Sequence, residues 1–193
     1  MQLQHLPYTP LRITSGFGPR KTNIAGASTD HMGVDIGTDK SKPYTATDGG
    51  PVTAALPGTV VSSYYNNLRG WVVLLDHGTI EGQNIKTLYQ HLKQAGSAVG
   101  TKVKAGDRIG TMGNTGVGAQ LHLHFELRVN NTCVDPEPYL KNIKEVKTME
   151  NITLDEAKRI VKEKAGLDDN TIQYLLFYKY GETLVKKIAV AVQ

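Results

Sequence analysis

His122-Leu123-His124-Phe125-Glu126 alternates polar and apolar residues. A period of two is the pattern of a strand with one buried face. On that reading His122, His124 and Glu126 share one face, and Leu123 and Phe125 face away from it. Far upstream, His31-Met32-Gly33-Val34-Asp35 reads the same way, as an extended strand with His31 and Asp35 together and Val34 turned away. Two imidazoles and a carboxylate, with histidines to spare, form a donor set for zinc that leaves a coordination position open for water. Either motif alone arises often by chance. Together they weigh more, because the chain has only six histidines and three fall in these two segments. A fourth, His91, closes Leu88-Tyr89-Gln90-His91-Leu92, which reads as a half-buried strand end.

Outward from these segments, Gly16 to about Leu140 carries the punctuation of an all-β domain. Gly49-Gly50-Pro51 precedes Val52 to Ala55, and Pro57-Gly58 precedes Thr59-Val60-Val61. Trp71 to Leu75 is an apolar run that ends in the turn Asp76-His77-Gly78. Lys102-Val103-Lys104 and Arg108-Ile109-Gly110 flank Ala105-Gly106-Asp107. The expected architecture is mainly β, an antiparallel sandwich or open barrel over residues 1–140. After Pro138 the period changes. Thr153-Leu154-Asp155-Glu156 is a capping box that opens a helix through Leu154, Ala157, Ile160, Val161 and Ala165, with Gly166 as its stop. Further helices are expected over about Asp169–Tyr180 and Glu182–Val192. Residues 141–193 thus read as a helical appendage of about three short helices joined by a polar connection, Lys141 to Met149. It is small for an independent core. It is expected to dock on the β domain, pack with another copy, or belong to a larger parent.

Composition bounds the function. A chain of 193 residues with 39% hydrophobic and 21% charged residues is ordinary for a soluble domain. No run approaches the eighteen or so apolar residues of a membrane span. The start, Met1-Gln2-Leu3-Gln4-His5, lacks the features of a signal peptide, which fits a cytoplasmic protein, a fragment, or export by another route. Cys133 is the single cysteine, so an intramolecular disulfide and a cysteine-ligated zinc are excluded; it reads as a small core residue. The net charge of +4 comes from scattered basic residues and gives no nucleic-acid signature.

Taken in order, the motifs resemble those of the lysostaphin-type, LytM-like zinc endopeptidases of peptidoglycan. The resemblance covers roughly residues 13 to 140. It runs through Ser15-Gly16-Phe17-Gly18-Pro19-Arg20, His31 to Ile36, Ala54 to Val61, Thr87 to Leu92 and Val103 to Asp107. Gly110 to Gly116, His122 to Glu126 and Val134-Asp135-Pro136 complete it. The resemblance implies a lysostaphin-type fold of the duplicated-hybrid-motif kind. It implies one Zn2+ held by His31, Asp35 and His124, with His91 and His122 as the histidines that do not bind metal. It further implies hydrolysis of peptide cross-links of the bacterial wall by a zinc-activated water with histidine acid/base help. Such an enzyme acts outside the cytoplasmic membrane, secreted or phage-encoded. Two departures are visible. Leu121 stands where relatives commonly carry a proline, and the segment from Gly78 to Lys86 exceeds a minimal hairpin. His77 reads as structural, at a turn, and His5 as a surface residue. Glu126 has two readings, a partner that orients an imidazole or an ordinary polar strand residue. Competing classes are a non-haem iron oxygenase, a lipoyl-type carrier, and a wall-binding or phage-tail structural module that retains zinc. The carrier lacks an attachment lysine in a hairpin, and the intact histidine set weighs against the module.

Overall fold

The computed structural model describes residues 1–23, 26–45, 47–117, 120–143, 152–177 and 181–192. They belong to two compact units, Met1–Ile143 and Lys144–Gln193.

In the first unit the long strands carry β-branched and aromatic residues, in short runs or at alternate positions. They are β6 (Gly58–Asn66), β7 (Gly70–Ile80), β8 (Gln83–Leu92) and β11 (His122–Val129). With β1 (Ile13–Ser15), β4 (Val34–Gly37), β9 (Lys102–Val103) and β12 (Thr132–Val134) they build an eight-stranded antiparallel sheet. Its order is β1-β4-β11-β8-β7-β6-β9, with β12 paired to β11. Two ribbons complete the unit, β2 (Gly18–Pro19) with β3 (Asp30–His31), and β5 (Pro51–Thr53) with β10 (Arg108–Thr111). A short helix α1 (Glu137–Lys141), entered through Pro136 and anchored by buried Leu140, has no counterpart in the sequence reading; five residues are too few to show a helical period.

The core joins Val34 and Ile36 of β4, Val73 and Leu75 of β7, Ile85 and Tyr89 of β8, and Leu123, Phe125 and Leu127 of β11. Val52 and Ile109 join them from the small ribbon. Alternation then forces Asp35, His122, His124 and Glu126 onto the opposite face of the sheet. Register aligns them: His124 pairs with Asp35 on one side and with Gln90 on the other. The core residues thereby hold the polar row in place. Phe125 is fully buried against Tyr89, with ring centroids 5.4 Å apart, and its truncation to alanine would cost about 3–5 kcal/mol.

The structure corrects two local expectations, the shared strand of His31 and Asp35 and the core placement of Cys133. His31 and Asp35 do not share one strand: β3 ends at His31 and β4 begins at Val34. Four steps of extended chain would separate their Cα atoms by about 13 Å, too far for both to reach one ion; the break at Met32-Gly33 closes that distance. Gly78 to Lys86 forms the tip of the long β7–β8 hairpin. β7 and β8 continue through it to a two-residue turn at Glu81-Gly82, both at positive φ (51° and 79°), as a tight right-twisted hairpin requires. Cys133 is half-buried on β12 beside Glu126 and is not a core residue.

In the second unit, α2 (Leu154–Ala165), α3 (Asp169–Leu176) and α4 (Gly181–Ala191) surround Ile152, Ala157, Ile160, Val161, Ile172, Val185 and Ala189. Thr153 and Glu156 form the full capping box, and Gly166 closes α2 in the left-handed conformation. Asp168 caps α3 through the amide of Thr171. The expected extension of α3 to Tyr180 falls on 178–180, outside the described residues.

Candidate metal centre

His31 Nε2, Asp35 Oδ1 and His124 Nδ1 form a triangle with edges of 2.9, 3.0 and 3.1 Å. Among the described residues these side chains are a group whose ligand-type atoms all lie within 4.8 Å of one another. Each comes from a different strand. Gly33 lets β4 approach β11 so closely that an added Cβ would lie 2.3 Å from the Phe125 carbonyl oxygen.

The atoms behind the triangle fix which nitrogens point into it. His31 Nδ1 donates to the Gly16 carbonyl at 2.6 Å, which leaves Nε2 free toward the centre. His124 Nε2 lies 3.4 Å from Glu126 Oε1, so Nδ1 faces inward. Arg20 Nη1 donates to Asp35 Oδ2 at 2.9 Å, and Oδ1 alone remains for the triangle. His31 Nε2 and Asp35 Oδ1 therefore both accept at His124 Nδ1, three ligand-type atoms around one proton. A divalent cation satisfies that arrangement better. The donors of a tetrahedral zinc lie about 3.3 Å apart, so the triangle needs to open only slightly. The residues fit zinc.

Electrostatics agree. Burial raises the Asp35 carboxyl, but the His124 and His31 imidazoles in contact with it and the proximity of His122 outweigh it and hold the group far below the usual carboxylate range. Burial lowers His124, yet Asp35 and Glu126 on either side raise it overall. Glu126 is only 2% exposed. Burial would raise its carboxyl too, but His124 and Arg128 bring it down to about 2. It accepts from Gln90 Nε2 at 2.9 Å and Arg128 Nε at 2.8 Å. Of the two readings of Glu126, the geometry favours the partner that orients an imidazole.

His91 and His122 stand beside the triangle, ring centroids 4.7 Å apart. His122 Nδ1 donates to the Gln120 carbonyl at 2.7 Å, and its Nε2 lies 3.7 Å from Asp35 Oδ1. Strand parity would send His91 into the core with Tyr89. A bulge opposite Val72 and a positive φ of 62° bring it round to the face that carries the triangle instead. That conformation costs about 1–2 kcal/mol for a non-glycine residue. Its amide donates to the Arg69 carbonyl, its carbonyl accepts from Gly113, and Nδ1 donates to the Thr115 carbonyl at 2.7 Å. Nε2 is the free nitrogen. Burial, and then the neighbouring His122, push its pKa down to about 4, so it is neutral at pH 7.

The other histidines lie elsewhere. His77 is held between the Pro57 carbonyl at 2.9 Å and the Thr87 hydroxyl at 2.7 Å, which in turn is 3.0 Å from the Tyr89 hydroxyl. That is a structural relay. His5 is exposed at the surface. Sequence reasoning gave Arg20, Gln90 and Thr115 no role, although all three lie inside quoted motifs. An arginine set among Gly-Phe-Gly-Pro, with no acid nearby in sequence, was the available signal for Arg20.

A β sheet that presents two histidines and an aspartate at one point, with two further histidines alongside, defines a metallopeptidase-like centre. The chain belongs to Peptidase family M23, whose family pattern matches residues 29–136. It is 35% identical over 126 residues to the peptidoglycan DD-endopeptidase ShyC of Vibrio cholerae, 65% of this chain and 26% of that protein. It is 34% identical over 132 residues to the glycyl-glycine endopeptidase ALE-1 of Staphylococcus capitis, 66% of this chain and 33% of that protein. The chain thus spans a quarter to a third of the length of these curated relatives. The catalytic domain of the antimicrobial peptidase lysostaphin from Staphylococcus simulans superposes with a TM-score of 0.55 at 33% identity, covering 68% of this chain and 93% of that domain. The lysostaphin-type fold is therefore that of this chain.

Proposed function

We propose that residues 1–143 form a zinc-dependent endopeptidase that hydrolyses peptide cross-links of bacterial peptidoglycan at the cell wall. His31, Asp35 and His124 would hold the ion, and His91 and His122 would handle protons. The observation that carries this reading is the triangle of ligand-type atoms with a pair of imidazoles at its edge. The curated relatives supply the substrate class.

When bound, zinc supplies a Lewis acid that makes water a nucleophile near neutral pH and polarises a carbonyl. The chain's own groups do the rest. His91 is held by Thr115 with its Nε2 lone pair free, and its lowered pKa keeps that lone pair available at neutral pH. It takes a proton from water at Nε2 and returns it to the leaving amine as a strong acid. His122 presents Nε2 toward the same region, where it hydrogen-bonds the developing oxyanion once it carries a proton. Positioned acid/base groups of this kind contribute about 10²–10⁴-fold each. Among the described residues no helix is long and apolar enough to cross a membrane.

The test is mass spectrometry of soluble fragments released from purified peptidoglycans of different cross-link types, with and without a zinc chelator. Release of cleaved cross-links that stops with chelator and is absent in His124→Ala supports the reading and names the bond. Zinc binding without release from any wall type would favour a wall-binding module.

A further inference from the structure

Residues 15–20 lie outside the ligand set, yet they touch two of its three members. Gly16 accepts from His31 Nδ1, and Gly18 pairs with His31 across the β2–β3 ribbon. Arg20 reaches further. Its Nη1 donates to Asp35 Oδ2 at 2.9 Å and to Ser15 Oγ at 2.7 Å, and its Nε donates to the Ser28 carbonyl at 3.2 Å. Its own amide donates to the Thr29 carbonyl at 2.8 Å. One guanidinium thus links Asp35 on β4 to the chain segment that leads into His31.

The two oxygens of Asp35 are used differently. Oδ1 lies 3.0 and 3.1 Å from the two ligand imidazoles and 3.7 Å from His122. Oδ2 points the other way, to Arg20 Nη1. A carboxylate can bind a metal through one oxygen or both, and a free aspartate side chain swings between the two by rotation about χ2. Arg20, with its planar head fixed at three points, blocks that rotation. We propose that Arg20 is a positioning residue that makes Asp35 a one-oxygen ligand, so that a three-ligand centre keeps room for both water and a substrate carbonyl. This rests on the metal reading above.

Lysine carries the charge but has no fork, so it reaches Oδ2 without also holding Ser15 and Ser28. Ser15→Ala removes one restraint and leaves the ion pair. The ranking expected is wild type, then Ser15→Ala, then Arg20→Lys, then Arg20→Met.

The experiment measures zinc affinity by chelator competition and the visible spectrum of the cobalt-substituted protein, which is far stronger for four-coordinate than for five-coordinate cobalt. Thermal melting identifies folded variants. Arg20→Met should bind zinc about 10–100-fold more weakly, and its cobalt bands should weaken and shift as the second oxygen joins; Arg20→Lys should fall between. If Arg20→Met does not fold, Arg20→Lys and Ser15→Ala carry the same comparison. Folded variants with the wild-type cobalt spectrum would overturn the inference even if affinity fell, because a plain structural ion pair does that. Wild-type protein that took up neither metal would overturn the metal centre itself, a result distinct from indifferent variants on an intact centre.

Discussion

Gly33→Ala tests the geometry on which the centre depends. The new methyl carbon would lie 2.3 Å from the Phe125 carbonyl oxygen, 2.9 Å from its carbon and 3.0 Å from His124 Nε2. Carbon and carbonyl oxygen pack no closer than about 3.3 Å, so the chain before β4 must retreat from β11 by about 1 Å. The obstacle is the backbone of an interior strand, and β11 has neighbours on both sides, so little can yield. Overpacking of this kind costs about 1–3 kcal/mol, and a rigid backbone puts Gly33→Ala near the upper end. About 3 kcal/mol corresponds to a fall in Tm of roughly 10 °C for a domain of this size. The same displacement stretches the His31–Asp35–His124 triangle, whose edges are 2.9 to 3.1 Å, so zinc affinity should drop at least about tenfold. Calorimetry with chelator present isolates the packing cost, and zinc competition isolates the site. Gly16→Ala is the control, because nothing lies within 4 Å of its added carbon; it should stay within about 0.5 kcal/mol of the parent. A Gly33→Ala protein that melts within 2 °C of the parent (roughly 0.5 kcal/mol) and binds zinc equally well would refute the reasoning.

Glu126→Gln keeps the shape of the side chain but removes the charge facing His124 and Arg128; zinc affinity should fall about 10–100-fold, as read by chelator competition. His91→Asn should lower hydrolysis by about 10²–10⁴-fold while zinc content, measured by elemental analysis, stays at the parent value. Burial holds the pKa of His77 below its ordinary 6.5, against the opposing effect of the Pro57 carbonyl. The relay therefore stabilises the fold fully above about pH 6.5, and that contribution is lost as pH falls toward the folded pKa, by no more than about 1.4 kcal/mol per pH unit. The stability gap between the parent and His77→Gln, measured by urea unfolding, should shrink from pH 7.5 to pH 5 (a range that brackets the ordinary histidine pKa of about 6.5); a constant gap would mean that His77 does not titrate against the fold. Chelation should lower the Tm of the parent but not of His124→Ala, because only the former gains the linkage stabilisation of a bound ion.

Strand parity at His122 to Glu126 was legible from the residues because a two-residue period with fully apolar alternate positions has one solution against a packed core. The capping box at Thr153 was legible for the same kind of reason: its partners lie three residues apart, and local chemistry completes it. His31 and Asp35 were found as residues, but their arrangement was not. An extended strand would have kept them apart, and only the approach of β4 to β11 across Gly33 closes the triangle.

The mainly β character and the helices after residue 152 were legible from the chain alone, and so were the candidate histidines and aspartate that the structure gathers at one point, because each depends on periodicity or on a side chain's own chemistry. Tertiary structure decided which nitrogen of each histidine points inward, how a bulge and a left-handed backbone bring His91 to the face that carries the triangle, and that Arg20 and Glu126 stand behind Asp35 and His124. Those features depend on contacts between residues far apart in sequence, such as Arg20 with Asp35, Gln90 with Glu126 and His91 with Thr115. A pattern along the chain records which face a side chain takes, whereas the distance between two strands is set by everything packed between them.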